Sequence, residues 1–242
     1  MIKTSLQEVE TYLRDLGLKT GDKVLIHADL RVFGRLEGNG SGLLTLIKDI
    51  VGPHGLICTP SFTFSFPENF DITHSKSNIG SLTNLFSEFL SVKRVPDGMT
   101  SYYLIGEDSS KYIDNWSNSS YGEGSIIDQL SRDNGKILQL GTDILSPIHF
   151  LEEQVTVPYR TLKRFEGLII DKDFSYHSHT YFYARNMDIK KIIPDPIRSG
   201  FYSDLSNSIE LFGRELRLFK IKEFIQYGLP ILRENKLILV EE

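Results

Sequence analysis

Apolar side chains recur at helical spacing at the start of the chain, where Leu6, Val9, Tyr12, Leu13 and Leu16 share one face. Thr4 and Ser5 are candidate caps for this helix, predicted over 4–17, and Gly17 stops it. The period then changes. Residues 23–27 form a short apolar run bounded by Gly21-Asp22, which predicts a buried strand. After Ser41, residues Leu43, Leu44, Leu46, Ile47 and Ile50 return to helical spacing until Gly52-Pro53, and 56–59 predicts the next strand. Strand, helix and strand in succession are the signal of a parallel sheet covered by helices. The alternation continues with a helix over 83–92, a strand over 102–105, a helix over 125–130, a strand over 136–140 and a short helix over 148–154. Beyond Val157-Pro158-Tyr159-Arg160 the character changes. Residues 165–171 and 176–186 predict a hairpin around Asp171-Lys172-Asp173, followed by helices over 203–212 and 218–227 and a last strand over 236–240. The expectation is an α/β protein with a largely parallel, helix-covered sheet over 1–160 and a smaller α+β section over 161–242.

Composition narrows the function classes. Of 242 residues, 40% are hydrophobic and 24% charged, so a sizeable core is expected and global disorder is not. The net charge of −5 gives no basic footprint for nucleic acid. One cysteine, Cys58, can form neither an internal disulfide nor a cysteine-rich zinc site. No apolar run reaches the roughly 18 residues of a membrane span, and the amphipathic, acidic N-terminus lacks signal-peptide features. A cytoplasmic protein working without membrane or nucleic acid is expected.

Five stretches carry polar chemistry. The first contains His27, Asp29, Leu30 and Arg31, then Gly34 and the glycine-rich entry 38–42 with Ser41; glycines opening a helix leave N–H groups free for phosphate. A surface loop with Ser41 as cap is its plainer reading. The second holds Ser61, Thr63 and Phe64 at the end of a strand, where loops beyond carboxyl ends bind ligands and hydroxyls also bond turns. The third places Asp97, Thr100 and Ser101 before a strand, with Asp97 in a Pro-Asp-Gly turn that needs no function. The fourth is Tyr121-Gly-Glu-Gly-Ser125. The fifth carries His149, Glu152 and Glu153; the i, i+3 spacing puts His149 and Glu152 on one helical face, as a catalytic or a structural pair. No metal is expected. His149 and Glu152 lack HExxH spacing, and His177 and His179, though on one strand face, read as ordinary hairpin histidines. No Gly-x-Ser-x-Gly elbow exists, and Cys58 lies within an apolar strand.

Taken in order, these stretches resemble the aminoglycoside 3-N-acetyltransferase family from Gly21 to about Arg160, and more faintly to the C-terminus. Gly21-Asp-Lys-Val-Leu-Ile-His-Ala-Asp-Leu30 is similar to its Gly-Asp-x-Val-Leu-Val-His-Ser-Ser-Leu pattern. Val51-Gly-Pro-His-Gly-Leu-Ile57, Pro60-Ser-Phe-Thr63, Tyr121-Gly-Glu-Gly-Ser125, Leu140-Gly141 with His149-Phe-Leu-Glu152, and Val157-Pro-Tyr-Arg160 follow in the family's order. The segment Arg94-Val-Pro-Asp97-Gly-Met-Thr100-Ser101 departs from it: the antibiotic-modifying members it resembles have Arg-Ser-x-His-Pro-x-His-Ser there, a segment that supplies a catalytic histidine. Ala28 and Asp29 also replace the usual serine pair. An acidic residue at 97 is similar to relatives that acylate nucleotide-linked amino sugars, as in the D-anthrose pathway.

The resemblance implies an antibiotic acetyltransferase-like fold and an N-acyltransferase using acetyl-CoA or another acyl-CoA. The leading expectation for the acceptor is an amino sugar, nucleotide-linked, for surface polysaccharide. An aminoglycoside, or a catalytically inactive relative that only binds acyl-CoA or sugar, is the alternative. Asp97, His149 and Glu152 are the expected catalytic residues, with Asp97 as general base. His27, Asp29, Leu30, Arg31, Gly34, Ser41, Ser61, Thr63 and Ser101 are expected at coenzyme A, its phosphates near 34–42. Phe64, Thr100, Tyr121, Glu153 and His177 are expected at the acceptor, with a homo-oligomer left open.

Overall fold

In the computed structural model, residues 3–241 other than Leu90 and Ser206 are described. Strand β1 (Lys3–Thr4) leads into α1 (Leu6–Asp15), which starts with a capping box: the Glu8 N–H donates to Ser5 Oγ, and the Ser5 N–H donates to the Glu8 carboxylate. Then come β2 (Lys23–Ala28), a 3₁₀ turn at Leu30–Phe33, β3 (Arg35–Leu36), α2 (Asn39–Val51), β4 (Leu56–Pro60), β5 (Phe70–Asp71) and α3 (Ser81–Phe86). The middle of the chain supplies β6 (Lys93–Arg94), β7 (Tyr102–Ile105), α4 (Ser109–Asp114), α5 (Ile126–Arg132), β8 (Lys136–Leu140) and α6 (Pro147–Val155). The remainder gives β9 (Arg160–Asp171), β10 (Phe174–Arg185), α7 (Pro196–Leu205), β11 (Asn207–Leu211), β12 (Arg214–Lys220) and α8 (Ile221–Glu234).

The main sheet has the order β11-β12-β8-β2-β4-β7-β6. Its strands obey the period of two: Val24 and Ile26 point into one core, which α1, α2 and α3 cover, while Leu25 points into the other with α5 to α8. Both cores are built of buried apolar side chains, and each Leu or Ile fully buried there contributes about 1.5–3 kcal/mol. The α/β class and the helical cover match the expectation. The parallel character is confined to the centre, β8, β2 and β4, and antiparallel strands flank it on both sides. A second sheet, β10-β9-β5, carries the long hairpin.

The elements up to residue 155 lie close to their predicted positions, with α3 shorter than 83–92 and α4 additional; Leu90 lies outside the described residues. The C-terminal expectations need correction. Residues 207–220 form a hairpin, not helices, because Phe212-Gly213 turns the chain at positive φ and pairs Leu211 with Arg214. Helix begins only at Ile221. The run 236–240 is a turn in which Leu239 and Val240 enter the core; its one ladder contact is an isolated bridge from Lys191 to Val240.

Candidate active site

Strands β2, β4 and β8 all end at the same edge of the sheet, and the chain leaves that edge in three loops that converge on the start of α6. Two clefts open there. One, of about 140 Å³, lies between the ends of β2 and β4 and is lined by Ile26, His27, Thr59, Pro60 and Leu82 among others. The second, of about 260 Å³, runs along α6 past His149 and Glu152 to Lys191, Asp195 and Arg198. Phe62, Ile144 and Ser146 belong to both, so the clefts meet at the N-terminal end of α6.

His149 and Glu152 come together as their spacing predicts: His149 Nδ1 is 2.6 Å from Glu152 Oε2. Arg160 Nη2 binds the same oxygen at 2.8 Å, and Tyr159 donates its hydroxyl to Oε1 at 3.1 Å. Arg160 also donates to the Tyr183 carbonyl at 2.8 Å, which ties the start of β9 to β10. Burial raises the proton affinity of Glu152, but the hydrogen bond and charge of His149, joined by Arg160, outweigh it and hold the carboxyl at about 2. The ionised carboxylate fixes the imidazole tautomer. Nδ1–H donates to Glu152, so Nε2 is left as the proton acceptor. Arg160 Nη2, 3.0 Å from Nδ1, therefore spends its hydrogen on Glu152. Burial pushes the His149 pKa below its ordinary value while Glu152 pulls it upward, so the ring is neutral at pH 7.

Aromatic rings close one side. Tyr121 lies 4.8 Å from His149 and 5.7 Å from Phe182 of the hairpin, and the half-exposed Phe64 lies 6.1 Å from Phe182. Glu153, one residue beyond Glu152, packs where Gly122 has no Cβ; one added there would stand 2.3 Å from its carboxylate. Burial pushes Glu153 up to about 7, against the charge of Arg160.

Asp97 is placed differently from the expectation. It is 1% exposed and lines neither cleft. Oδ1 accepts the Met99 N–H at 2.8 Å, and Oδ2 accepts the hydroxyls of Thr100 at 3.0 Å and Ser120 at 2.9 Å. Desolvation raises its pKa, yet both oxygens are engaged, which suits a loop anchor and not a base. Asp97→Ala should leave these donors unpaired and lower stability by about 1–3 kcal/mol in urea unfolding, with the pH of half-maximal activity unchanged.

The neighbouring hydroxyls are likewise turned inward. Ser101 donates to the Val95 carbonyl, Ser61 accepts from Arg94 Nε, Thr63 accepts from Ser65, and Thr100 is held by Asp97. None of the four lines either cleft. His177 is exposed on the hairpin and lines neither cleft. The glycine-rich entry also departs from a phosphate cradle: Leu6 of α1 packs against Gly38 and Gly42, 3.2 Å from where a Cβ would sit. Leu30 and Leu85 fill the space at Gly40 in the same way, and Ser41 remains exposed.

Asp29 remains at the edge of the site. It accepts from Arg31 Nε at 2.8 Å and from Arg214 Nη1 at 2.7 Å, and the Arg31 hydrogen bond first, then Arg214, holds it far below the ordinary carboxylate range. Gly34 ends the 3₁₀ turn at φ 60°. The functional candidates missed in the sequence are Arg160, Ser146 and Phe62. The family-like stretches Val157-Pro-Tyr-Arg160 and Pro60-Ser-Phe-Thr63 contain Arg160 and Phe62, and Ser146 opens the stretch that carries His149 and Glu152, but none of the three is singled out as a site residue. Among the described residues no cluster of three metal-ligating side chains occurs, and no helix is long and apolar enough to cross a membrane.

Direct transfer of an acyl group from coenzyme A to an amine asks for a base and for no covalent enzyme intermediate, and the chain is of that class, the acyl-CoA-dependent N-acyltransferases. Residues 25–233 match the aminoglycoside 3-N-acetyltransferase family, and the chain belongs to it. It is 24% identical over 249 residues to the SPbeta prophage-derived aminoglycoside N(3')-acetyltransferase-like protein YokD of Bacillus subtilis (strain 168), covering 92% of this chain and 90% of that protein. It is 24% identical over 176 residues to aminoglycoside N(3)-acetyltransferase IV of Salmonella sp, covering 69% and 67%. The solved structure of AAC-IIIb in binary complex with CoASH shares the fold, with a TM-score of 0.81 at 19% identity, covering 96% of this chain and 97% of that one.

These relatives overturn the expected nucleotide-linked amino-sugar acceptor for surface polysaccharide, because they are named for aminoglycosides. The residue that suggested it misled for a physical reason. Asp97 is buried in its own loop with both carboxylate oxygens engaged, and it lines neither cleft.

Proposed function

We propose that the protein is an aminoglycoside 3-N-acetyltransferase in which His149 is the general base. The observation that carries this reading is the His149–Glu152–Arg160 cluster, set where two clefts meet beyond the carboxyl ends of parallel strands. Acetyl-CoA, the co-substrate, would supply the acetyl group as a thioester. The residues present fit it. The smaller cleft offers apolar walls at Ile26, Pro60, Phe62 and Leu82 with a few polar groups, as a pantetheine arm requires. Next to it, Asp29 sits between Arg31 and Arg214, two cations against one anion, which favours a phosphate. His27, Asp29, Leu30, Arg31 and Gly34 keep their expected role at coenzyme A on this reading.

The section 161–242 closes the acceptor side through Lys191, Asp195 and Arg198, with Tyr121, Phe64 and Glu153 at its aromatic flank. Asp195 is the carboxylate on that side, its Oδ1 accepting the N–H groups of Ile197 and Arg198, with Lys191 and Arg198 beside it. His149 Nε2 takes the amine proton as the nitrogen bonds the acyl carbon; Glu152 and Arg160 keep the ring oriented, a contribution of about 10²–10⁴ for general-base catalysis.

Thiol release from acetyl-CoA should depend on added aminoglycoside, with kanamycin- and gentamicin-type compounds as the panel. No thiol release with any of them would reject the reading. The pH profile is a separate expectation. Because His149 must be neutral and its pKa is lowered, kcat/KM, divided by the separately measured fraction of neutral acceptor amine, should fall on acidification through a midpoint below pH 6.5. A profile with its midpoint above 6.5 would contradict His149 as the base.

A further inference from the structure

Ser146 occupies the N-cap position of α6, where a serine ordinarily accepts a hydrogen bond from a backbone N–H of the first turn. Here its backbone is already helical, with φ −60° and ψ −36°, and its side chain makes no cap bond. The hydroxyl instead lies 3.2 Å from His27 Nε2, at the end of β2. Ser146 is 5% exposed and His27 6%, so the pair is nearly dry, and Ser146 lines both clefts at their junction. It stands three residues before His149, one helical turn away on the same face. The N-terminal end of α6, which favours negative charge, lies at the same point.

Burial pushes the His27 pKa down to about 4, so the ring is neutral and only one nitrogen carries hydrogen. With that hydrogen on Nε2, His27 donates to Ser146 Oγ; the buried Tyr102 hydroxyl beside it, kept protonated by desolvation, donates to the same oxygen, which leaves the Ser146 hydrogen for the cleft. We propose that Ser146 is a catalytic hydrogen-bond donor: oriented by His27, it donates to the acyl carbonyl oxygen of the thioester where the two clefts meet. This rests on the acyl-transfer reading above. In the step, the amine nitrogen bonds the carbonyl carbon and the C–S bond breaks, its electron pair leaving with sulfur. The amine proton passes to His149 Nε2 and then to the departing thiolate, and nothing is oxidised or reduced. The carbonyl oxygen carries negative charge between these events, and a fixed donor there is worth about 10²–10³ in rate.

The test combines kinetics with the infrared band of bound acetyl-CoA labelled with ¹³C at the carbonyl. In the wild type the band should lie below its solution frequency, in Ser146→Ala it should return toward that frequency, and Ser146→Thr, which keeps a hydroxyl, should preserve the shift. Ser146→Ala should also lose about 10²–10³ in kcat with acetyl-CoA affinity retained. His149→Gln should keep the shifted band while losing turnover. An unshifted wild-type band, the same band in Ser146→Ala, or wild-type kcat in that variant would overturn the proposal. Failure of the acceptor reading looks different: the shift and its loss in Ser146→Ala persist, while no aminoglycoside is acetylated. A wild-type protein that binds no acetyl-CoA would remove both.

Discussion

His149→Gln should lower kcat by about 10²–10⁴ while changing the unfolding free energy by only about 1 kcal/mol, the net worth of an ordinary hydrogen bond. The contrast follows from where the ring stands. Its side chain is 22% exposed and borders the larger cleft, whereas Glu152 and Arg160 beside it are 1% and 4% exposed. Removing the imidazole leaves the Glu152–Arg160 pair and the Tyr159 hydrogen bond in place. Steady-state kinetics on purified variant, paired with urea unfolding, separates the alternatives. A large stability loss with kcat near wild type would make His149 a structural residue.

The largest stability effect is expected from Glu152→Gln. It takes the negative charge from a buried group whose partners are a guanidinium and an imidazole, and leaves Arg160 uncompensated. Breaking a buried ion pair at one end costs about 3–5 kcal/mol, enough to consume much of a domain's marginal stability. The pH dependence has a definite sign. Glu152 titrates at about 2 in the folded protein against 4.5 for an ordinary glutamate, so the unfolded chain takes up its proton first as pH falls. The stability difference between wild type and Glu152→Gln should be full above about pH 4.5 and shrink as pH falls toward 2. Urea midpoints across that range measure it; a difference that grows on acidification would contradict the buried-pair account.

The central sheet was legible because its signal is local: continuous apolar runs in β2, β4 and β8, buried on both faces, and a period of 3.6 in α1 and α2 are set by which faces must leave water. The same rule made His149 and Glu152 legible as a pair. What escaped depends on contacts between distant segments. Arg160 reaches Glu152 only after Thr156 ends α6 in the left-handed region and the chain turns back into β9. Glycines 38, 40 and 42 fit a phosphate loop in sequence, but leucines from the 3₁₀ turn, α1 and α3 fill the space beside them. Asp97 reads as a base or as a turn; Thr100 takes its second oxygen locally, and Ser120, 23 residues away, adds a hydrogen bond there that the sequence does not show. The C-terminal hairpin was hidden because Arg214–Lys220 carries polar side chains on an outer part of the sheet, so its apolar positions mimic a helix.

The nitrogen that receives the acetyl group tests the central claim most directly. Gentamicin C1a incubated with acetyl-CoA and the wild-type protein, and the product examined by two-dimensional NMR, should show one new amide, on the 3-amino group, and none when His149→Gln replaces the wild type. No amide with the wild type, an amide on another amine, or the same product from His149→Gln would contradict the account.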